Sequence, residues 1–144
     1  MKIRNLIFGG VDIESPLTNL GIVVLRLFAG LTLAFQHGIN IIPPSAAFLD
    51  TVNSLGFPLP TFFAWAAGLS ELLGGILLVV GLCTRPASFF IVITMSVAVF
   101  LRHSTGPFHE KELALLYGII AFLFLLVGSG RFGVDDTLRR TTKN

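Results

Sequence analysis

Four apolar stretches organise the chain, with short polar or Pro/Gly-rich pieces between them. From Leu17 to His37 the only breaks in apolar character are Thr18, Asn19, Arg26, Thr32 and Gln36. About 20 helical residues at roughly 1.5 Å each cross a hydrocarbon core of about 30 Å. Ser15-Pro16 reads as the start of that helix, with serine as N-cap and proline at the first position. Residues 38–60 read as a loop, broken by Pro43-Pro44 and by Gly56-Phe57-Pro58-Leu59-Pro60. Inside it, 45–55 predicts a short interfacial helix with Ala47, Phe48, Val52 and Leu55 on one face. A second span follows over 61–82, a tight turn at Cys83-Thr84-Arg85-Pro86, and a third span over 86–101. Polar residues 102–112 precede the fourth apolar run, 113–127, which extends back to about 110. Gly128-Ser129-Gly130 ends it. The prediction is an all-α polytopic membrane protein, an antiparallel four-transmembrane-helix bundle with spans at about 17–37, 61–82, 86–101 and 110–127. These lie in a membrane domain, 16–130, between a cytoplasmic arm, 1–15, and a basic cytoplasmic tail, 131–144.

Composition agrees. Of 144 residues, 53% are hydrophobic and 12% charged, against about 25% charged in a soluble domain. Lys2, Arg4, Arg85, Arg131, Arg139, Arg140 and Lys143 fall on the side of the termini, and only Arg102 and Lys111 on the other. The positive-inside rule then sets both termini in the cytoplasm (N-in/C-in). The polar arm and the internal arginine argue against a cleaved signal peptide. Basic residues cluster at the ends and no aromatic-interleaved stripe exists, so nucleic acid is not an expected partner; the lipid bilayer is. Cys83 is the single cysteine, which excludes an internal disulfide or dithiol.

Arg26 and Glu71 are the outliers. Each lies about ten residues into its span, one counted from the inner end and the other from the outer. Equal depth in antiparallel helices predicts an intramembrane ion pair. A charge at mid-membrane costs roughly 2.5–3.5 kcal/mol and ordinarily finds a partner or a wet cavity. Glu71 shares a face with Ala64, Ala67, Gly68, Gly74 and Gly75, small residues that let helices approach closely. The pair reads either as a proton or ligand site or as a structural clasp.

Outer ends of the spans carry Gln36, His37, Arg102, His103, His109, Glu110 and Glu112. This rim has several readings. A quinone headgroup could bind there, with His37 the leading residue because it shares the Arg26 stripe. Histidines and carboxylates also ligate metals, though no metal spacing is present and no metal is expected. Two histidines on different helices could ligate haem. The plain reading is a solvated loop with interfacial anchors. No dinucleotide fingerprint, phosphate loop, catalytic triad or HExxH occurs, so no intrinsic cofactor and no catalytic residue is assigned.

Several segments together resemble the DoxX family of small four-helix bacterial membrane proteins. They are Arg26-Leu27-Phe28-Ala29-Gly30 with His37-Gly38, and Leu55-Gly56-Phe57-Pro58-Leu59-Pro60. Further along come Gly68-Leu69-Ser70-Glu71-Leu72-Leu73-Gly74-Gly75, Gly81-Leu82-Cys83-Thr84-Arg85, and Gly128-Ser129-Gly130-Arg131-Phe132-Gly133-Val134-Asp135. The resemblance covers roughly 17–136. It implies a bacterial inner (plasma) membrane protein. One branch is associated with a thiosulfate:quinone oxidoreductase, and others with thiol-stress or detoxification proteins. The expected function is a membrane subunit of a quinone-linked oxidoreductase or thiol/sulfur detoxification system, with quinone as ligand and a soluble or membrane redox partner protein as electron source. A homo-oligomer is a further expectation. A small proton-coupled transporter and a ligand-free scaffold are the alternatives. The transporter is disfavoured at this stage because an arginine partner would hold Glu71 ionised.

Overall fold

The computed structural model describes residues 8–11 and 13–141. Lys2, Arg4 and Lys143, which carry part of the expected charge asymmetry, lie outside the described residues. No strand occurs among the described residues. Helix α1 runs over Pro16–Ile41. It starts as α-helix at Pro16–Thr32, widens into a π-helical stretch at Leu33–Gly38 and resumes at Ile39–Ile41. Ser15 caps it as expected, its Oγ accepting the Thr18 N–H at 3.3 Å. Helix α2 covers Ala46–Ser54, and the Ser45 Oγ accepts the Phe48 N–H at 3.2 Å. Helix α3 covers Pro60–Val80. Helix α4 covers Thr84–Arg102, with a π-helical end at Ala98–Arg102. Helix α5 covers Phe108–Val127 and a short α6 covers Val134–Thr141.

Three helices, α1, α3 and α4, are long and apolar enough to cross a membrane. Charge, rather than length, keeps α5 outside that set: Glu110, Lys111 and Glu112 occupy its start. The apolar run behind them, 113–127, is about 22 Å long at the α-helical rise.

Two boundaries differ from the sequence expectation. The turn expected at 83–86 lies at 81–83 instead, and α4 begins at Thr84. Proline lacks only an N–H that the first helical turn leaves unpaired anyway, so Pro86 sits inside that turn without breaking it. The tail expected over 131–144 is not simply a tail. It folds back as α6, with Asp135 and Asp136 buried.

Small residues set the packing. A methyl group on Gly30 would lie 2.6 Å from the Gly75 carbonyl oxygen, and one on Gly75 would lie 2.7 Å from the Gly30 carbonyl. Helices α1 and α3 thus meet backbone to backbone. Gly74 takes Ile91 of α4 on its other side. The core is Leu33, Leu78, Ile91, Met95, Tyr117, Ala121 and Phe124, drawn from α1, α3, α4 and α5. Large apolar side chains also cover the outside, among them Phe28, Phe62, Phe90, Phe100, Ile119 and Leu126. A bundle that is apolar all round matches a lipid solvent rather than water.

Candidate functional site

Arg26 and Glu71 do not pair. Arg26 is buried at the end of the bundle where α3 stops and residues 128–135 fold back. Its Nη1 donates to the Ser129 carbonyl at 2.7 Å and its Nη2 reaches the Phe132 carbonyl at 3.5 Å. Asp135 is the anion that acts on it. Gly81 (φ 72°) ends α3 beside the guanidinium, and a methyl group there would collide with Nη1. The expected equal depth fails because α1 starts well before the level at which α3 ends. The register in which Gly30 faces Gly75 puts Arg26 level with about residue 79. That is eight residues, or about 12 Å, from Glu71.

The turn that receives Arg26 is held on several sides. Asp135 Oδ1 accepts the Cys83 N–H at 2.8 Å and Oδ2 accepts the Thr84 N–H at 2.9 Å. A carboxylate at the first turn of α4 satisfies free N–H groups and complements the helix dipole. Asp135 N–H donates to the Gly81 carbonyl at 2.9 Å. Asn19, also buried, donates to the Ile13 and Ser15 carbonyls and accepts the Arg131 N–H at 2.9 Å. One polar network therefore ties α1, the α3–α4 turn and the residues after α5.

Cys83 stands in this turn with φ 47°, a left-handed conformation that costs a non-glycine residue about 1–2 kcal/mol. Burial, and then the Asp135 carboxylate, push its thiol up from the ordinary range. Both effects disfavour the thiolate, the nucleophilic form. Maleimide labelling of Cys83 at pH 7 is expected to be slower in the folded protein than in a detergent-denatured sample. Labelling of the folded protein at pH 7 as fast as that of a detergent-denatured sample would contradict this.

Glu71 lies near the middle of α3, level with the last turn of α1. It is buried, and among the described residues it has neither a hydrogen bond nor an ion pair. Arg102 is the cation whose charge acts on it. His37 lies close to the same level, since a methyl group on the adjacent Gly38 would run into the Leu72 backbone. The His37 ring meets the Tyr117 ring edge-on, centroids 5.5 Å apart, which joins α1 to α5. Both π-helical stretches fall here, one presenting His37 and the other ending at Arg102. Wide turns of this kind are frequent at functional sites.

The remaining rim residues are less gathered. His103 Nδ1 lies 3.5 Å from Glu110 Oε2, bridging the ends of α4 and α5. Gly106 leaves the space for that carboxylate. Gln36, His109 and Glu112 are exposed, and none makes a side-chain hydrogen bond or ion pair among the described residues. No group of three or more His, Cys, Asp and Glu side chains among the described residues could hold a metal ion. The sequence reading passed over Tyr117, although it is the only tyrosine and stands in an apolar run. It also passed over Asn19, Asp135 and Asp136 as buried polar groups.

A Haemophilus influenzae protein described as uncharacterized is 36% identical over 77 residues, 49% of this chain and 58% of that protein. The match thus spans little more than half of the Haemophilus protein. A Bacillus subtilis protein named "Putative oxidoreductase CatD" is 27% identical over 126 residues, 87% of this chain and 92% of its own length. No solved structure matches. The DoxX family model matches residues 21–104, from α1 to the loop after α4. The protein is a membrane protein of the DoxX family.

Proposed function

We propose that this protein is the membrane component of a quinone-linked oxidoreductase, with its ligand site at the outer ends of α1, α3, α4 and α5. In this reading α5 is the fourth span, both termini face the cytoplasm, and the membrane is a bacterial inner membrane. The arginines at the terminal end of the bundle support that orientation. The observation that carries the proposal is Glu71, a buried carboxyl with no partner of its own, set near the His37–Tyr117 contact and under the charge of Arg102. The residues fit a quinone headgroup. His37 and Arg102 supply N–H donors for carbonyl oxygens, and Tyr117 supplies an aromatic edge. Glu71 holds or releases a proton where the headgroup would meet the hydrocarbon. A bound quinone would supply a two-electron, two-proton couple. The electrons come from a redox partner protein. The name of the Bacillus relative supports the oxidoreductase class.

Trp65, the only tryptophan, lies on α3 six residues before Glu71, about 9 Å along the axis. Titration of the purified protein with a short-chain quinone analogue is expected to quench it saturably. His37→Ala and Glu71→Gln are each expected to weaken binding about tenfold or more, or about 1.4 kcal/mol. Quenching that never saturates, or that both variants leave unchanged, would exclude a quinone site here.

One observation favours a second reading. Arg26 does not hold Glu71, so the objection to a proton-coupled transporter falls away. Carboxyls inside membranes commonly carry protons in pumps and transporters. Proton-driven uptake into proteoliposomes, lost in Glu71→Gln while quinone binding is absent, would select the transporter.

A further inference from the structure

At the opposite end of the bundle lies a cavity of about 190 Å³ that the quinone reading does not use. Arg131, Arg139, Arg140 and Asp136 line it together with Val11 and Ile13. Asp136 is buried and fixes two guanidiniums at once. Arg139 Nη2 lies 2.7 Å from its Oδ1 and Arg140 Nε lies 2.6 Å from its Oδ2. Arg140 spends only Nε on that carboxylate, so its two terminal nitrogens remain available from an exposed side chain. Arg131 is anchored through its backbone N–H on Asn19, while its side chain is exposed. Glu14 also lines the cavity. Among the described residues, the Arg131 side chain and the terminal nitrogens of Arg140 are therefore the donors this cavity offers, while Arg139 is engaged by Asp136 and the Gly10 carbonyl. The surroundings are apolar: Phe132, Val134 and Leu138 expose large side chains on this segment, and Leu17 does so at the start of α1.

We infer that this cavity takes the phosphate of an anionic phospholipid headgroup. Guanidiniums at adjacent positions match phosphate oxygens in geometry and charge. Basic pockets at the cytoplasmic ends of membrane helices bind anionic headgroups by this chemistry. The exposed apolar side chains favour a lipid over a free anion, because they give its acyl chains a surface beside the cations. The inference stands independently of the function proposed above.

The test uses the full chain in a neutral detergent. Its melting temperature is followed against short-chain phosphatidylglycerol, short-chain phosphatidylcholine and inorganic phosphate. Phosphatidylglycerol is expected to raise the midpoint saturably, and neither of the others to do so at the same concentration. In Arg131→Gln/Arg140→Gln the concentration for half effect should rise at least tenfold. If that variant fails to fold, Arg131→Gln alone, at an exposed position, should raise it at least threefold. Equal shifts with phosphatidylcholine would overturn the inference, because the headgroup would not be read. A full shift with inorganic phosphate would overturn it in favour of a free-anion site. Unchanged titrations in both variants would remove the arginines from any role.

Discussion

Replacing Arg26 with leucine is expected to destabilise the folded bundle by about 3–5 kcal/mol, the usual cost of removing one partner from a buried charged network. The loss has several parts. The Ser129 and Phe132 carbonyls lose their donor, and Asp135 loses the cation that acts on it. An unpaired buried acceptor costs roughly 1–3 kcal/mol. Asp135 would still hold the Cys83 and Thr84 N–H groups, so the turn weakens rather than vanishes. Arg26→Lys keeps the charge but not the forked donors, and is expected to recover about half of the loss. Thermal unfolding in detergent checks both variants, with a fall on the order of 10 °C expected for leucine. A leucine variant as stable as the parent would mean that the clasp does not contribute.

The second large effect comes from the α1–α3 contact. Gly75→Ala is expected to destabilise by about 1–3 kcal/mol, the range for overpacking. The added methyl would lie 2.7 Å from the Gly30 carbonyl oxygen and 2.9 Å from the Ala34 backbone nitrogen. Neither neighbour is the end of a flexible side chain, so one helix must move. Gly21→Ala is the control. Nothing lies within 4 Å of a methyl group there, and alanine is about 1 kcal/mol better than glycine within a helix. Gly21→Ala should therefore leave stability unchanged or raise it. Equal effects at the two positions, measured by the same unfolding assay, would show that close approach does not govern the packing.

Residues with a local signature were legible in the sequence. Ser15-Pro16 marked the start of α1, and the Gly74-Gly75 pair marked the packing face of α3. The 45–55 segment formed the helix that its pattern predicted. Arg26 and Glu71 were legible as buried charges but not as to partner. Counting residues from helix ends assumes that the ends are level. Residues 128–135 fold under α3 and take Arg26 there, a long-range contact for which the chain carries no periodic signal. Asp135 was hidden for the same reason, since an acidic pair after a helix stop reads as solvated tail. The outer cluster was half visible. His37 and Arg102 stood out as polar residues at span ends, whereas Tyr117 looked like ordinary apolar filling. The π-helical stretches that contain His37 and Arg102 leave no mark in hydropathy.

Separation of the two intramembrane charges is the centre of this account: Arg26 ties α1 to residues 128–135, and Glu71 stands apart from it near the middle of α3. A double-mutant cycle on stability, with Arg26→Leu, Glu71→Gln and both together, tests it directly. The account predicts additivity within about 0.5 kcal/mol, as for distant sites without shared partners. A favourable coupling well above 1 kcal/mol would restore a direct Arg26–Glu71 pair and contradict it.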